Sequence, residues 1–343
     1  MSRLVLVISD LYPARQQPQE LPRLAQLEYW LAHAQRTPLV AGWQQWLLEE
    51  FCSGRYAHRS WAQVAAAGAG LAVDHAWLAT PVHLVAGLDT VRVHPAGLLR
   101  LTAEEQQSLA GDFATVFRGS GWTLHATSER ELLICSATAL HARSTDPARW
   151  LGSDPSAGMI TGQDARPLRR LGAELEMWLH EHRVNRARVE RGLLPASGLW
   201  LWGGAETPTA RSALERPSPP RPAPTGAGAA LQVYGAELFL AGLCQLTGAG
   251  SLALALPWSP ARATLARAGQ AIVHCQLGAA PAGTRLQALE HELIAPLLLQ
   301  LRRGDWDSLT LLAGGHASTV RRNGWRVWKA LIRGGPWWER LLG

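Results

Sequence analysis

The run His180-Glu181-His182-Arg183-Val184-Asn185-Arg186-Ala187-Arg188 gathers imidazole, amide and guanidinium groups in one short stretch. Asn185 and Arg188 lie about one helical turn apart and share a face, where an amide and a planar guanidinium can hold a carboxylate or a phosphate. The same two side chains can instead cap and bridge, ordering the connection to Trp200. Both readings stay open at this stage. Asp10 ends the β-branched run Leu4–Ile8, so a strand would deliver its carboxylate to the edge of a sheet, as a metal ligand or as a cap for the following turn. His83, close to Pro81, can line a cleft or sit satisfied in the core. Glu290-His291-Glu292 carries ligand-type atoms, but adjacent helical residues point in different directions and cannot all reach one ion. Gly203-Gly204 lacks the Lys or Ser/Thr that a phosphate loop requires.

These groups need elements to hold them. Leu4–Ile8 reads as a parallel strand buried on both faces. Leu21–Leu31, Trp43–Phe51 and Ala62–Leu71 have helical spacing, and Trp77–Val85 has the look of a buried strand. Thr102 and Glu105 form a capping-box pattern that opens a helix, followed by strands around Trp122–His125 and Glu131–Ser136. Leu168–Arg191 predicts one long helix, with Leu171, Leu175, Trp178 and Leu179 on its apolar face and Gly192 at its end. The stretch from Glu206 to Ala230 is rich in Pro, Ala, Gly, Ser and Thr and predicts a flexible connector. Beyond it, a helix near Ala236–Leu246, a strand Ser251–Leu256, a helix Ala261–Ala268, a strand Ala271–Cys275, a helix Arg285–Leu301 and a strand Ser308–Ala313 alternate. That alternation means an α/β sheet flanked by helices.

The 343 residues suffice for one large or two ordinary domains. No apolar run approaches the length of a spanning helix, and the N-terminal run is too short for a signal core, so a cytoplasmic protein is expected. Cys52, Cys135, Cys244 and Cys275 have no metal-type spacing and read as reduced core thiols. Of the net charge of +6, most lies after Val320, where six basic residues face one acid, Glu339. The remainder is near neutral, which excludes a general nucleic-acid surface. Trp325, Trp328, Leu331 and Ile332 share a helical face, with Arg322, Arg326, Lys329 and Arg333 elsewhere. Residues 321–343 could therefore touch a membrane surface peripherally, although docking on the sheet is the expectation.

The pattern His182-x-Val184-Asn185-x-x-Arg188-x-x-x-Gly192, followed by Leu199-Trp200-Leu201-Trp202-Gly203-Gly204, resembles the mid-chain signature of archaeal-type cofactor-independent phosphoglycerate mutases. It resembles still more their bacterial relatives, regulatory proteins of the RpfE type. Trp77-Leu78-Ala79-Thr80-Pro81-Val82-His83-Leu84 is similar to a second stretch of those relatives, with Thr80 where they usually carry Asp. The resemblance covers most of the chain, densest in the middle third. It implies an alkaline-phosphatase-like, mostly parallel sheet flanked by helices, with a smaller inserted α+β cap. Residues 1–94 and 231–343 would form the discontinuous core, 95–204 the cap and return to the core, and 205–230 the connector.

The family's chemistry, as the resemblance implies it, moves phosphate with two metal ions and a hydroxyl nucleophile. Asp10 matches its first metal ligand. His274 fits a strand, but Gln276–Thr284 offers no carboxylate or imidazole. Where an Asp-His pair belongs, the chain reads Ala313-Gly314-Gly315-His316, so only His316 survives. Thr80 is the hydroxyl at the nucleophile stretch. A mutase-like protein without its two-metal site is therefore expected, with a regulatory or scaffolding role, no cofactor, and an unknown protein partner. Two alternatives remain: an active metal-dependent phosphoglycerate mutase or phosphatase using a divalent metal, Thr80, Asp10 and His316; or a sensor binding a small phosphorylated ligand through Asn185, Arg188 and His83.

Overall fold

The computed structural model describes residues 2–12, 21–39, 41–52, 56, 59–87, 90–127, 131–204, 231–259, 269–277, 282–322 and 335–342. The expected connector, the helix Ala261–Ala268 and the tryptophans Trp325 and Trp328 lie outside these residues. The chain divides into two compact units: Met1–Phe51, Pro222–Ala236 and Leu246–Gly343 make the first, Cys52–Arg221 and Glu237–Gln245 the second.

In chain order the first stretch holds β1 (Arg3–Ile8), α1 (Ala25–His33), β2 (Gln35–Pro38) and α2 (Trp43–Phe51). Next come α3 (Trp61–Gly68), β3 (Ala76–Ala86), β4 (Val91–Leu98), α4 (Ala103–Val116), β5 (Trp122–Ala126) and β6 (Leu132–Ser136). They are followed by α5 (Ala165–Glu181), α6 (Arg183–Glu190) and β7 (Gly198–Trp202). The remainder holds β8 (Leu231–Tyr234), α7 (Leu238–Thr247), β9 (Gly250–Leu252), β10 (Gln270–Cys275), α8 (Ala282–Leu289) and α9 (Ala295–Arg303). Last are β11 (Ser308–Ala313), β12 (His316–Arg321) and α10 (Trp337–Leu342).

The first unit is built on a seven-stranded sheet ordered β2-β12-β11-β1-β10-β8-β9. β1 pairs in parallel with β10 and β11, while β12 and β2 run antiparallel at one side. Leu4, Leu6 and Ile8 pack on one face with Leu27, Trp30, Leu297 and Leu301. Val5 and Val7 are equally buried on the other face, which explains the unbroken apolar run. Each such side chain contributes roughly 1.5–3 kcal/mol by leaving water. Gly314 (φ 56°) and Gly315 (φ 78°) form the β11–β12 turn, a backbone shape that only glycine adopts without strain. Glu290 is buried in a π turn between α8 and α9 and accepts from the Gln26 and Leu27 N–H groups, satisfying the start of α1. That duty takes it out of the ligand cluster suggested by Glu290-His291-Glu292.

The second unit carries a five-stranded antiparallel sheet, ordered β4-β3-β6-β5, with β7 pairing β3. Trp77, Ala79, Leu124, Ile134, Leu199 and Leu201 meet Leu109 and Phe113 of α4 and Leu168, Leu171, Leu175 and Leu179 of α5. The strand around Trp77–Val85 belongs to this antiparallel sheet, so the second unit begins at Cys52. The single helix expected over Leu168–Arg191 is two. His182 takes an extended conformation (φ −70°, ψ 139°) and its Nδ1 accepts the Val184 N–H, stopping α5 and starting α6. Thr102 and Glu105 do form the capping box that opens α4.

Within this unit α3 and α7 approach closely through paired glycines. A Cβ on Gly242 would collide with the Val64 carbonyl, and one on Gly68 would lie 2.5 Å from Gly242 N. Gly242→Ala is expected to lower stability by roughly 1–3 kcal/mol in urea titrations. Gly111→Ala, on exposed helix surface with nothing within 4 Å of the new carbon, should instead gain about 0.5–1 kcal/mol. Equal responses would show that the α3–α7 approach is not close in solution.

No helix among the described residues is long and apolar enough to cross a membrane.

Candidate functional site

The parallel strands of the first unit bring the strand-end residues together. Ser9 and Asp10 follow β1, and His274 stands one residue before the end of β10, in register with Val7. His274 Nε2 lies 3.1 Å from Ser9 Oγ, both residues being buried, and the His274 ring tilts against Trp43 at 5.5 Å between centroids. Gly235, after β8, lets the backbone pass beside this imidazole: a Cβ there would sit 3.0 Å from His274 Cβ. Asp10 Oδ1 accepts the Leu277 N–H at 2.8 Å, so its carboxylate ties the β1 end to the chain leaving β10.

His316 starts β12, opposite Ala313. Its Nδ1 lies 3.2 Å from the Gly314 carbonyl, inside the glycine turn. Burial first, and the Arg36 charge second, push its pKa below the ordinary histidine value. The strand-end positions therefore present Cys275 and Ala313 beside Asp10 and His316. Two metal ions need several convergent carboxylates and imidazoles. Among the described residues no three His, Cys, Asp or Glu side chains are grouped to hold one ion. The donor set does not fit a two-metal centre.

The other candidates lie in the second unit, and three of them share one task. Arg188 Nε donates to the Leu194 carbonyl at 2.8 Å, His83 Nδ1 lies 2.9 Å from the Pro195 carbonyl, and Asn185 Nδ2 donates to the Ala196 carbonyl at 2.8 Å. Three consecutive carbonyls of the segment entering β7 are thus each met by a different side chain. Asn185 also accepts the Ala196 N–H and donates to Leu179 O, which joins the end of α5 to the same segment. Arg188 Nη1 reaches Glu105 Oε2 at 2.8 Å and Arg100 O at 3.2 Å, with both charged partners buried. Ser197 Oγ accepts the Leu84 N–H. Thr80 is buried in β3, and its hydroxyl oxygen accepts from Trp202 Nε1 at 2.8 Å.

His182 completes the ordering of this region. Its Nε2 donates to Asp112, which Arg183 also holds, and its ring meets Trp178 edge-on at 4.8 Å. Burial lowers its pKa against the opposing pull of Asp112. No disulfide joins the four cysteines, all of them described, and burial pushes the Cys52 and Cys135 thiols up to about 11. Ser9, Trp43 and Gly235 were not foreseen. Only Ser9, adjacent to Asp10 at a strand end, carried any signal in the sequence.

No family model matches the chain. Over 109 residues it is 32% identical to a 2,3-bisphosphoglycerate-independent phosphoglycerate mutase of Methanothrix thermoacetophila, a match spanning 32% of this chain and 27% of that protein. The matched part is thus about a quarter of the relative's length. A cofactor-independent phosphoglycerate mutase from Thermoplasma acidophilum aligns over 99% of this chain and 98% of its own, with a TM-score of 0.38 and 16% identity. The PH0037 protein of Pyrococcus horikoshii aligns over 93% and 86%, with a TM-score of 0.43 and 12% identity. At those scores the structural likeness adds nothing to the α/β fold already described. That sequence match covers about a third of this chain. The chain is a distant relative of the cofactor-independent phosphoglycerate mutases.

Proposed function

We propose that this chain is a mutase-like protein of the RpfE regulatory type that has lost the two-metal chemistry and serves a regulatory or scaffolding role in the cytoplasm, with another protein as its partner. The observation that carries this reading is the make-up of the strand ends in the first unit. Cys275 and Ala313 close β10 and β11, and the carboxylate of Asp10 after β1 is engaged by the Leu277 N–H. Among the described residues, a phosphoryl transfer that depends on paired divalent ions has no ligand set to gather them. Thr80, the hydroxyl candidate, accepts from a buried indole and has no carboxylate or imidazole among its recorded hydrogen-bond partners to act as its base.

The sensor alternative through Asn185, Arg188 and His83 is less well supported, because their polar atoms hold the Leu194–Ala196 backbone. We therefore assign these three side chains to ordering the entry to β7. The purified protein, assayed with manganese, cobalt or zinc and 3-phosphoglycerate, should turn over no faster than a metal blank and should carry substoichiometric metal. Turnover abolished by Asp10→Ala would overturn the reading.

A further inference from the structure

Away from those strand ends, the β2–β12 side of the first unit holds charge without a counter-charge among the described residues. Arg36 of β2 is the register partner of Ser318 on β12, so their side chains are direct cross-strand neighbours. Arg36 Nε and Nη2 and Ser318 Oγ are all shielded from solvent, and none has a hydrogen-bond partner among the described residues. Nε and Nη2 form the side-on edge of a guanidinium. In Arg23 the same two atoms take the two oxygens of Glu28, each at 2.6 Å. The fork that Arg23 fills, Arg36 leaves open.

The surroundings add positive charge. Burial lowers the Arg36 pKa, and the Arg340 guanidinium of α10 lowers it further. Glu339, the one acid after Val320, is exposed and acts on Arg23. The sequence between β12 and α10 supplies only Arg322, Arg326, Lys329 and Arg333 as charged residues, all of them basic. Two shielded guanidinium nitrogens without an acceptor are costly, since they have lost water and gained nothing in return.

We infer that Arg36, Ser318 and Arg340 form a binding site for a small dianionic oxyanion of the phosphate class. The Arg36 fork takes two oxygens, as planar bidentate recognition requires, and the Ser318 hydroxyl donates to a third. The Arg340 charge, which acts on Arg36, adds to a positive potential that favours a phosphate dianion over a monocarboxylate. Shielding of the donors keeps the pairing from being screened. The site is separate from the strand-end residues of the proposed function, so the two readings stand or fall independently.

Thermal unfolding and isothermal titration calorimetry of the full chain, with inorganic phosphate against chloride at matched ionic strength, test it. Phosphate should raise the melting temperature in a saturable way. Arg36→Lys, which keeps the charge but removes the fork, should weaken the dissociation constant at least tenfold, and Ser318→Ala should weaken it severalfold. Arg36→Met should unfold at a higher temperature than the parent without phosphate and lose the phosphate response. A phosphate shift no larger than the chloride shift, or one unchanged in both Arg36→Lys and Ser318→Ala, overturns the inference. Because Ser318→Ala removes only a hydroxyl, it remains informative if the Arg36 variants fail to fold.

Discussion

Arg188→Ala is expected to destabilise the second unit by about 3–5 kcal/mol, the usual cost of breaking a buried ion pair from one side. Arg188 and Glu105 are both buried, and the truncation strands the Glu105 carboxylate with the Thr102 N–H and a 3.6 Å approach from Arg191 as its remaining support. It also leaves the Arg100 and Leu194 carbonyls without their guanidinium donor. The Glu105→Gln/Arg188→Ala double variant should be less destabilised than the sum of the singles, because the stranded charge is gone. Asn185→Ala should behave similarly at a smaller magnitude, since the amide meets both the N–H and the carbonyl of Ala196. Urea titrations of the full chain read these changes as a lower midpoint at unchanged slope. If instead Arg188→Ala left the midpoint within about 0.5 kcal/mol, the side chain would be dispensable for folding and a ligand-binding role would regain weight.

The residues that sequence reading marks as chemical were thus found, but their partners were not legible. Asn185 and Arg188 stand out because an amide and a guanidinium one turn apart are unusual on a helix facing a core. What they hold is backbone, and the carbonyls of Leu194, Pro195 and Ala196 leave no mark in side-chain spacing. The elements divide along similar lines. β1 and α2 are legible because their apolar pattern meets one environment along its whole length. β4 was missed because Pro95 and Gly97 interrupt its pattern, and Gly97 lies against the His94 and His83 backbone where the pairing with β3 slips register. β12 was missed because Ser318 and Thr319 look like loop residues, although Ser318 is 1% exposed. The break at His182 was hidden because the side chain that would continue the apolar helix is the one that caps the next. Assignment of β3 to the antiparallel sheet depends on pairing with β6 and β7, which no local pattern encodes.

Glu237 shows the same limit in electrostatic form and gives the strongest expected pH effect. It stands just before α7, and its Oε2 accepts the Leu240 N–H at 3.0 Å. Burial raises its carboxyl from an ordinary value of 4.5 to about 7, against the pull of the Phe239 and Leu240 amides, and the Asp146 charge raises it further. Between those two pH values the folded chain holds a proton that the unfolded chain releases. Unfolding therefore becomes easier as pH rises: this contribution is most favourable below about 4.5 and is lost progressively through 7. The separation corresponds to at most about 3 kcal/mol at pH 8. Glu237→Gln keeps an oxygen to accept the Leu240 N–H and cannot ionise. It should be more stable than the parent at pH 8, close to it at pH 5, and show a flatter stability profile between them. Asp146→Asn should move the parent profile part of the way, since it removes the neighbouring negative charge while retaining an oxygen for the Ala148 N–H that Asp146 caps. Parallel profiles for the parent and Glu237→Gln would mean that Glu237 ionises in the folded chain as it does in water, and that burial does not govern its charge.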